Sequence, residues 1–72
     1  MKRISIVTEY ITLGQLLKLV NLIGSGGEAK IYLANNVVYV NGEKDTRRGR
    51  KIYPGDRVKF GNQEYLIIVD ET

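Results

Sequence analysis

Val37-Val38-Tyr39-Val40-Asn41-Gly42 reads as a β-strand running straight into a tight turn. Three valines and a tyrosine suit a pleated, half-buried surface. Asn-Gly is the pair best able to supply the two positive φ angles of a type I′ hairpin turn. The return segment, 43 to 50, is polar and belongs on a sheet edge or in a loop, where its charges also block unwanted strand pairing. Tyr53-Pro54-Gly55-Asp56 suits a type II turn, with Pro at its second position and Gly at its third. Arg57-Val58-Lys59-Phe60 alternates as a half-buried strand, and Gly61-Asn62 reads as a second tight hairpin. Residues 63 to 69 form the last strand, with Tyr65, Ile67 and Val69 on one face.

Towards the N-terminus the period changes. Thr12-Leu13-Gly14-Gln15 is a capping-box pattern, and Ile11 and Leu16 stand where a hydrophobic staple would place them. The pattern predicts a helix from here to about Ile23, with Leu13, Leu16, Leu17, Leu19, Val20 and Ile23 on its apolar face. Ser25 followed by Glu28 predicts a second capping box, with Ser25 as N-cap and Gly26 and Gly27 in the first helical turn. That helix would run to about Ala34, bury Ala29, Tyr32 and Leu33, and end at Asn35-Asn36 through a left-handed residue. Ile31 falls outside that face. Before both helices, residues 3 to 8 read as a strand with Ile4 and Ile6 facing inwards. The expected fold class is α+β: two short helices packed on a small, mostly antiparallel β-sheet.

Seventy-two residues allow one domain, spanning 1 to 72, with a small core. No cysteine and no histidine are present. Disulfides, thiolate metal sites and the commonest general base are thereby excluded, and neither a metal nor a cofactor is expected. No apolar run approaches the ~20 residues of a membrane span, and the start of the chain lacks a signal-peptide pattern. A cytoplasmic protein without membrane contact is the expectation.

Eleven Lys and Arg against eight Asp and Glu give a net charge of +3. The excess is local. Residues 44 to 51 carry Lys44, Arg47, Arg48, Arg50 and Lys51 against Asp45, which is +4, so the rest of the chain sums to −1. Four cations in five residues repel one another without a counter-charge, which points to a docked polyanion. The glycine-rich helix start adds to this. Gly26 and Gly27 leave first-turn N–H groups uncovered at the positive end of a helix dipole, and Lys30 lies on the same side. Lys18, on the polar side of the first helix, is a further candidate phosphate contact. Tyr32, Tyr39 and Tyr53 are able to stack on unpaired bases, although burial is the commoner fate of such residues.

The order of these features resembles the RNA-binding domain named after ribosomal protein S4. The matching residues are Leu16-Leu17-Lys18, Gly26-Gly27-Glu28-Ala29-Lys30, Val38-Tyr39-Val40-Asn41-Gly42 and Tyr53-Pro54-Gly55-Asp56-Arg57-Val58, within about residues 12 to 60. The usual Arg-Leu-Asp opening of the first helix is replaced by Thr12-Leu13-Gly14-Gln15, and the usual Ser-Arg of the second by Gly26-Gly27. With Arg47-Arg48-Gly49-Arg50-Lys51, these departures look like the small stand-alone bacterial subgroup of YaaA and YbcJ type. The resemblance implies the S4-like helix-pair fold, also called the alpha-L motif, and binding of structured RNA without catalysis. It implies ribosomal RNA in the first place, with tRNA or the ribosome as further partners; a monomer is expected. The residues expected to bind RNA are Lys18, Ser25, Gly26, Gly27, Lys30, Asn41, Lys44, Arg47, Arg48, Arg50 and Lys51.

Two other readings compete with this one. A protein-interaction adaptor would set the basic patch against an acidic partner, or add a strand to an exposed sheet edge. A small acid–base enzyme would need paired carboxylates in a pocket, and no second acid stands at helical spacing from Glu28. Exposure of the glycine-rich helix start beside the arginines separates the RNA binder from the adaptor.

Overall fold

The computed structural model describes residues 1–70. It contains β1 (Lys2–Ile6), β2 (Ile11–Thr12), α1 (Leu13–Leu19), α2 (Glu28–Asn35), β3 (Val38–Val40), β4 (Glu43–Lys44), β5 (Lys51–Ile52), β6 (Arg57–Phe60) and β7 (Gln63–Val69). Five strands form one sheet in the order β1-β7-β6-β3-β4, and β2 and β5 form a separate two-stranded ribbon. All pairings are antiparallel except β1 with β7, where Ile4 stands beside Ile67. The inner face of the sheet supplies Val38, Val40, Val58, Phe60 and Ile67 to the core. The helices cover it with Leu13, Leu16, Leu17, Ala29 and Leu33. The α+β class expected from the sequence is the one observed.

The turns carry the expected geometry. Asn41 and Gly42 have φ of 53° and 85°, as the type I′ turn between β3 and β4 requires. Gly55 has φ of 96°, and the Asp56 N–H donates to the Tyr53 carbonyl at 3.0 Å, closing the type II turn. At the start of α1 the capping box is complete. The Gln15 N–H donates to Thr12 Oγ1 at 3.2 Å, and the Thr12 N–H donates to Gln15 Oε1 at 2.9 Å.

Four helix expectations are corrected. First, α1 ends at Leu19 instead of Ile23. Asn21 takes φ of 61°, the Leu22 N–H reaches the Leu17 carbonyl and the Asn21 N–H the Lys18 carbonyl. This is a Schellman closure with asparagine in the left-handed position. Leu19 is consequently exposed, while Ile23, beyond the helix, is buried. Second, Ser25 is not an N-cap. The N-cap is Gly27, with helical φ and ψ and no side-chain capping bond. Glu28 turns back to accept from the Gly24 N–H at 3.1 Å. Third, Gly26 and Gly27 lie in the turn before α2 and not in its first helical positions. Fourth, α2 does not end on a left-handed asparagine. Asn36 is extended, and both its backbone N–H and its Nδ2 donate to the Tyr32 carbonyl.

The β2–β5 ribbon was not foreseen. It draws the segment after β4 across the start of α1, where the Leu13 N–H donates to the Arg50 carbonyl at 2.8 Å and the Gly14 N–H to the Arg48 carbonyl at 2.9 Å. Helix starts leave N–H groups without intrahelical partners, and here the basic loop supplies the acceptors. Gly14 makes the close approach possible: a β-carbon there would stand 3.4 Å from the Arg48 carbonyl oxygen and 3.5 Å from the Ala29 β-carbon. Those distances are the near edge of ordinary contact. Gly14→Ala is expected to raise stability by about 0.5–1 kcal/mol through helix propensity. Gly14→Val, which overfills the junction, is expected to lower it by about 1–3 kcal/mol. Urea unfolding of both variants checks the opposite signs, and a valine variant as stable as the alanine one would contradict this packing.

Candidate functional site

The counter-charge that the basic segment needs is inside it. Asp45 is buried, with its side chain only 6% exposed. Its Oδ1 accepts from Arg47 Nε at 3.1 Å and from the Arg47 backbone N–H at 2.9 Å. Its Oδ2 accepts from Arg47 Nη2 and from Arg50 Nη1, both at 2.8 Å. The Arg47 side-chain hydrogen bond is the largest influence on this carboxyl. Burial opposes it, and the Arg47 backbone N–H and Arg50 add to it, so that Asp45 is held well below the usual carboxylate range. The same pairing raises the Arg47 guanidinium above its ordinary value. The Asp45 backbone N–H donates to the Val38 carbonyl at 3.0 Å, tying this node to the sheet.

Pairing does not consume the arginines. A guanidinium has five N–H donors. Arg47 spends two of them on Asp45 and its side chain remains 69% exposed. Arg50 spends one, at 29% exposure. Asp45 therefore fixes one edge of each fork and leaves the other for a ligand. Such pre-set, charge-assisted forks match phosphate oxygens bidentately.

Three surface cavities gather the remaining candidates. Lys18, Gly26, Arg48 and Gly49 line one of about 340 Å³ together with Gly14 and Gln15. Lys30 and Lys44 line another of about 480 Å³ with Thr46 and the end of α2. Arg47, Gly49, Arg50 and Lys51 line a third of about 620 Å³ with Tyr53 and Asp56. Among the described residues, no acidic side chain lines the first two. Gly26 and Gly27 are open: a β-carbon on either would meet nothing within 4 Å. Ser25 is exposed, and what it contributes is its carbonyl, which accepts from the Glu28 N–H at 3.1 Å.

Asn41 joins two turns. Its Nδ2 donates to Asp56 Oδ1 at 3.0 Å, its Oδ1 accepts from the Arg57 N–H at 2.9 Å, and its own N–H donates to the Arg57 carbonyl at 2.7 Å. The side chain stays exposed. Tyr32 is half-buried against the core, whereas Tyr39 and Tyr53 keep substantial exposure. Tyr10 is a site neighbour that sequence reasoning passed over. Its ring lies 5.5 Å from that of Tyr53, and Lys51 Nζ stands 5.0 Å from its centroid. A register drawn through Ile11–Ile52 would have paired the two tyrosines, but two-residue strands leave almost no periodic signal.

A small α+β module that presents a helix pair and a braced basic loop is the arrangement of an S4 domain. The S4-domain family model matches residues 4–68, and the chain belongs to that family. It is also similar to the probable ribosome maturation protein RlbA of Bacillus subtilis (strain 168), with 61% identity over 57 residues that make up 79% of this chain and 80% of that protein. Among the described residues, no helix is long and apolar enough to cross a membrane.

The lowered Asp45 carboxyl makes the loop acid-sensitive in a defined direction. Because the folded-state value lies below the unfolded one, the node contributes full stability above the unfolded value of about 3.9. That contribution is lost as pH falls from there towards the folded value. Asp45→Asn is expected to lower the melting temperature at pH 7 by roughly 5–10 °C, the fall that about 1–2 kcal/mol produces in a chain this small. The difference from wild type should shrink below about pH 4. Melts recorded from pH 7 to pH 3 check this, and a gap that stays constant with pH would show that the charge on Asp45 does not brace the loop.

Proposed function

We propose that the protein is a non-enzymatic RNA-binding module that docks structured RNA, in the first place ribosomal RNA, during ribosome maturation. It acts as a monomer in the cytoplasm. One observation carries the proposal: Lys18 of α1, Gly26 before α2 and Arg48 of the braced loop line a single cavity with no acidic side chain among the described residues. Lys30 and Lys44 extend the same sign of charge along α2. Cations set along a shallow surface suit phosphates in an RNA backbone. The open Gly26-Gly27 turn admits a backbone or 2′-hydroxyl that a side chain would hold off. Membership of the S4 family supports an RNA ligand. The relative is named for ribosome maturation, and its identity over most of both chains supports the same setting here.

The adaptor reading gains little from the structure. The two edges of the sheet are β4, two residues long and charged, and β1, which carries Lys2 and Arg3, and edge charge of this kind discourages strand addition.

Phosphate binding by this surface sets a salt dependence. The logarithm of RNA affinity should fall by about 0.7–0.9 per phosphate for each log unit of salt. Lys30→Ala with Arg48→Ala is expected to flatten that slope by about two phosphates' worth and to weaken different RNA sequences alike. Filter-binding titrations of a ribosomal RNA fragment at several salt concentrations measure it. A double variant with the wild-type slope would remove these two residues from the interface.

The glycine turn gives a separate test. Gly27 has right-handed helical angles and free space where a β-carbon would go. Gly27→Ala is therefore expected to stabilise the fold by about 0.4–1 kcal/mol. It is also expected to weaken RNA binding by crowding the backbone N–H groups. A higher melting temperature with unchanged RNA affinity would take the turn out of the site.

A further inference from the structure

The largest of the three cavities is unlike the other two, because an aromatic ring, that of Tyr53, lines it. In the β2–β5 ribbon, Ile11 stands opposite Ile52 and both are buried. Strand alternation sends the flanking residues to the outer face. Continuing the register by one places Tyr10 opposite Tyr53. Their rings are 5.5 Å apart with planes inclined at 45°. Lys51 covers Tyr10 as a cation–π partner at 5.0 Å.

Tyr53 fixes its turn through backbone atoms alone. Its N–H donates to Asp56 Oδ2 at 2.8 Å and its carbonyl accepts from the Asp56 N–H. The ring is not needed for that turn, yet it stays 42% exposed at the edge of a cavity of about 620 Å³. That volume falls within the range of small-molecule sites.

Arg47 and Arg50, held by Asp45 with spare N–H donors, line this cavity together with Lys51, Tyr53 and Asp56. The cations attract a phosphate, and the exposed Tyr53 ring offers an apolar surface to a neutral base. We propose that Tyr53, backed by Tyr10, is a stacking platform for one unpaired base of the bound RNA, with the adjoining phosphate held by Arg47 and Arg50. This rests on the RNA-binding reading above and adds a preference for RNA with an unpaired nucleotide beside a stem.

The probe is a stem-loop RNA carrying 2-aminopurine as a single-base bulge, used at low salt beside the same stem fully paired. Stacking on Tyr53 is expected to quench the 2-aminopurine signal when the intact protein binds. Tyr53→Ala should abolish the quench and weaken the bulged RNA by about 5- to 150-fold, the range for loss of one base–aromatic stack. Its affinity for the paired stem should not change. Tyr53→Phe should behave as wild type, and Tyr53→Leu, which keeps apolar bulk, should behave as the alanine variant. Binding of both RNAs by the wild type without any quench would overturn the platform and leave the RNA-binding reading standing. Equal loss for bulged and paired RNA in Tyr53→Leu would also overturn it, because the ring would then be structural. If the wild type bound neither RNA, both readings would fall together.

Discussion

A buried carboxylate gripping two arginines sets the shape of the basic loop of this protein. Asp45 joins Arg47 and Arg50 at hydrogen-bond distance, and its own N–H is anchored to the Val38 carbonyl. The loop is thereby tied to the sheet on one side. On the other, the Arg48 and Arg50 carbonyls cap the first N–H groups of α1. A segment with five positive side chains would otherwise extend and repel itself. Here it becomes a rigid strap between sheet and helix, and the electrostatic cost of crowding cations is offset internally before any ligand arrives. Part of the ordering entropy of binding is then already spent in folding, which favours affinity.

Much of the architecture was legible because local chemistry dictated it. Asn41-Gly42, Tyr53-Pro54-Gly55-Asp56 and Thr12 with Gln15 each admit few backbone solutions, and the structure adopts them. The failures lie where two local signals competed. Ser25 and Glu28 spell a capping box, but the Glu28 carboxylate finds the Gly24 N–H and the helix starts at Glu28 with Gly27 as its N-cap. The leucine pattern of α1 runs past Leu19, but Asn21 closes the helix first by adopting a left-handed angle.

The candidate site was legible as composition and not as geometry. The basic cluster was plain in the sequence, but its pairing scheme was not. Asp45 looked like a minor subtraction from the charge count, whereas in the structure it organises two of the cations. Asn41, expected as an RNA contact, also bridges two turns. Gly14 stood out only as part of the capping-box pattern, yet it sits where α2 and the basic loop meet α1. These roles depend on contacts distant in sequence, which spacing alone cannot encode.

The parallel pairing of β1 with β7 has a consequence for the protein's own birth. Lys2 lies in register with Tyr65 and Ile6 with Val69, so of the described strands the first to be made waits for the last. Local hairpins close in microseconds, and the β6–β7 hairpin can form as soon as its residues emerge. Joining β1 to it requires closing a loop of about sixty residues, a slower event with a larger entropic cost. Until then Ile4 and Ile6 stand in a strand without a neighbour. Lys2 and Arg3 lie on the same segment, where charge discourages pairing with other nascent chains.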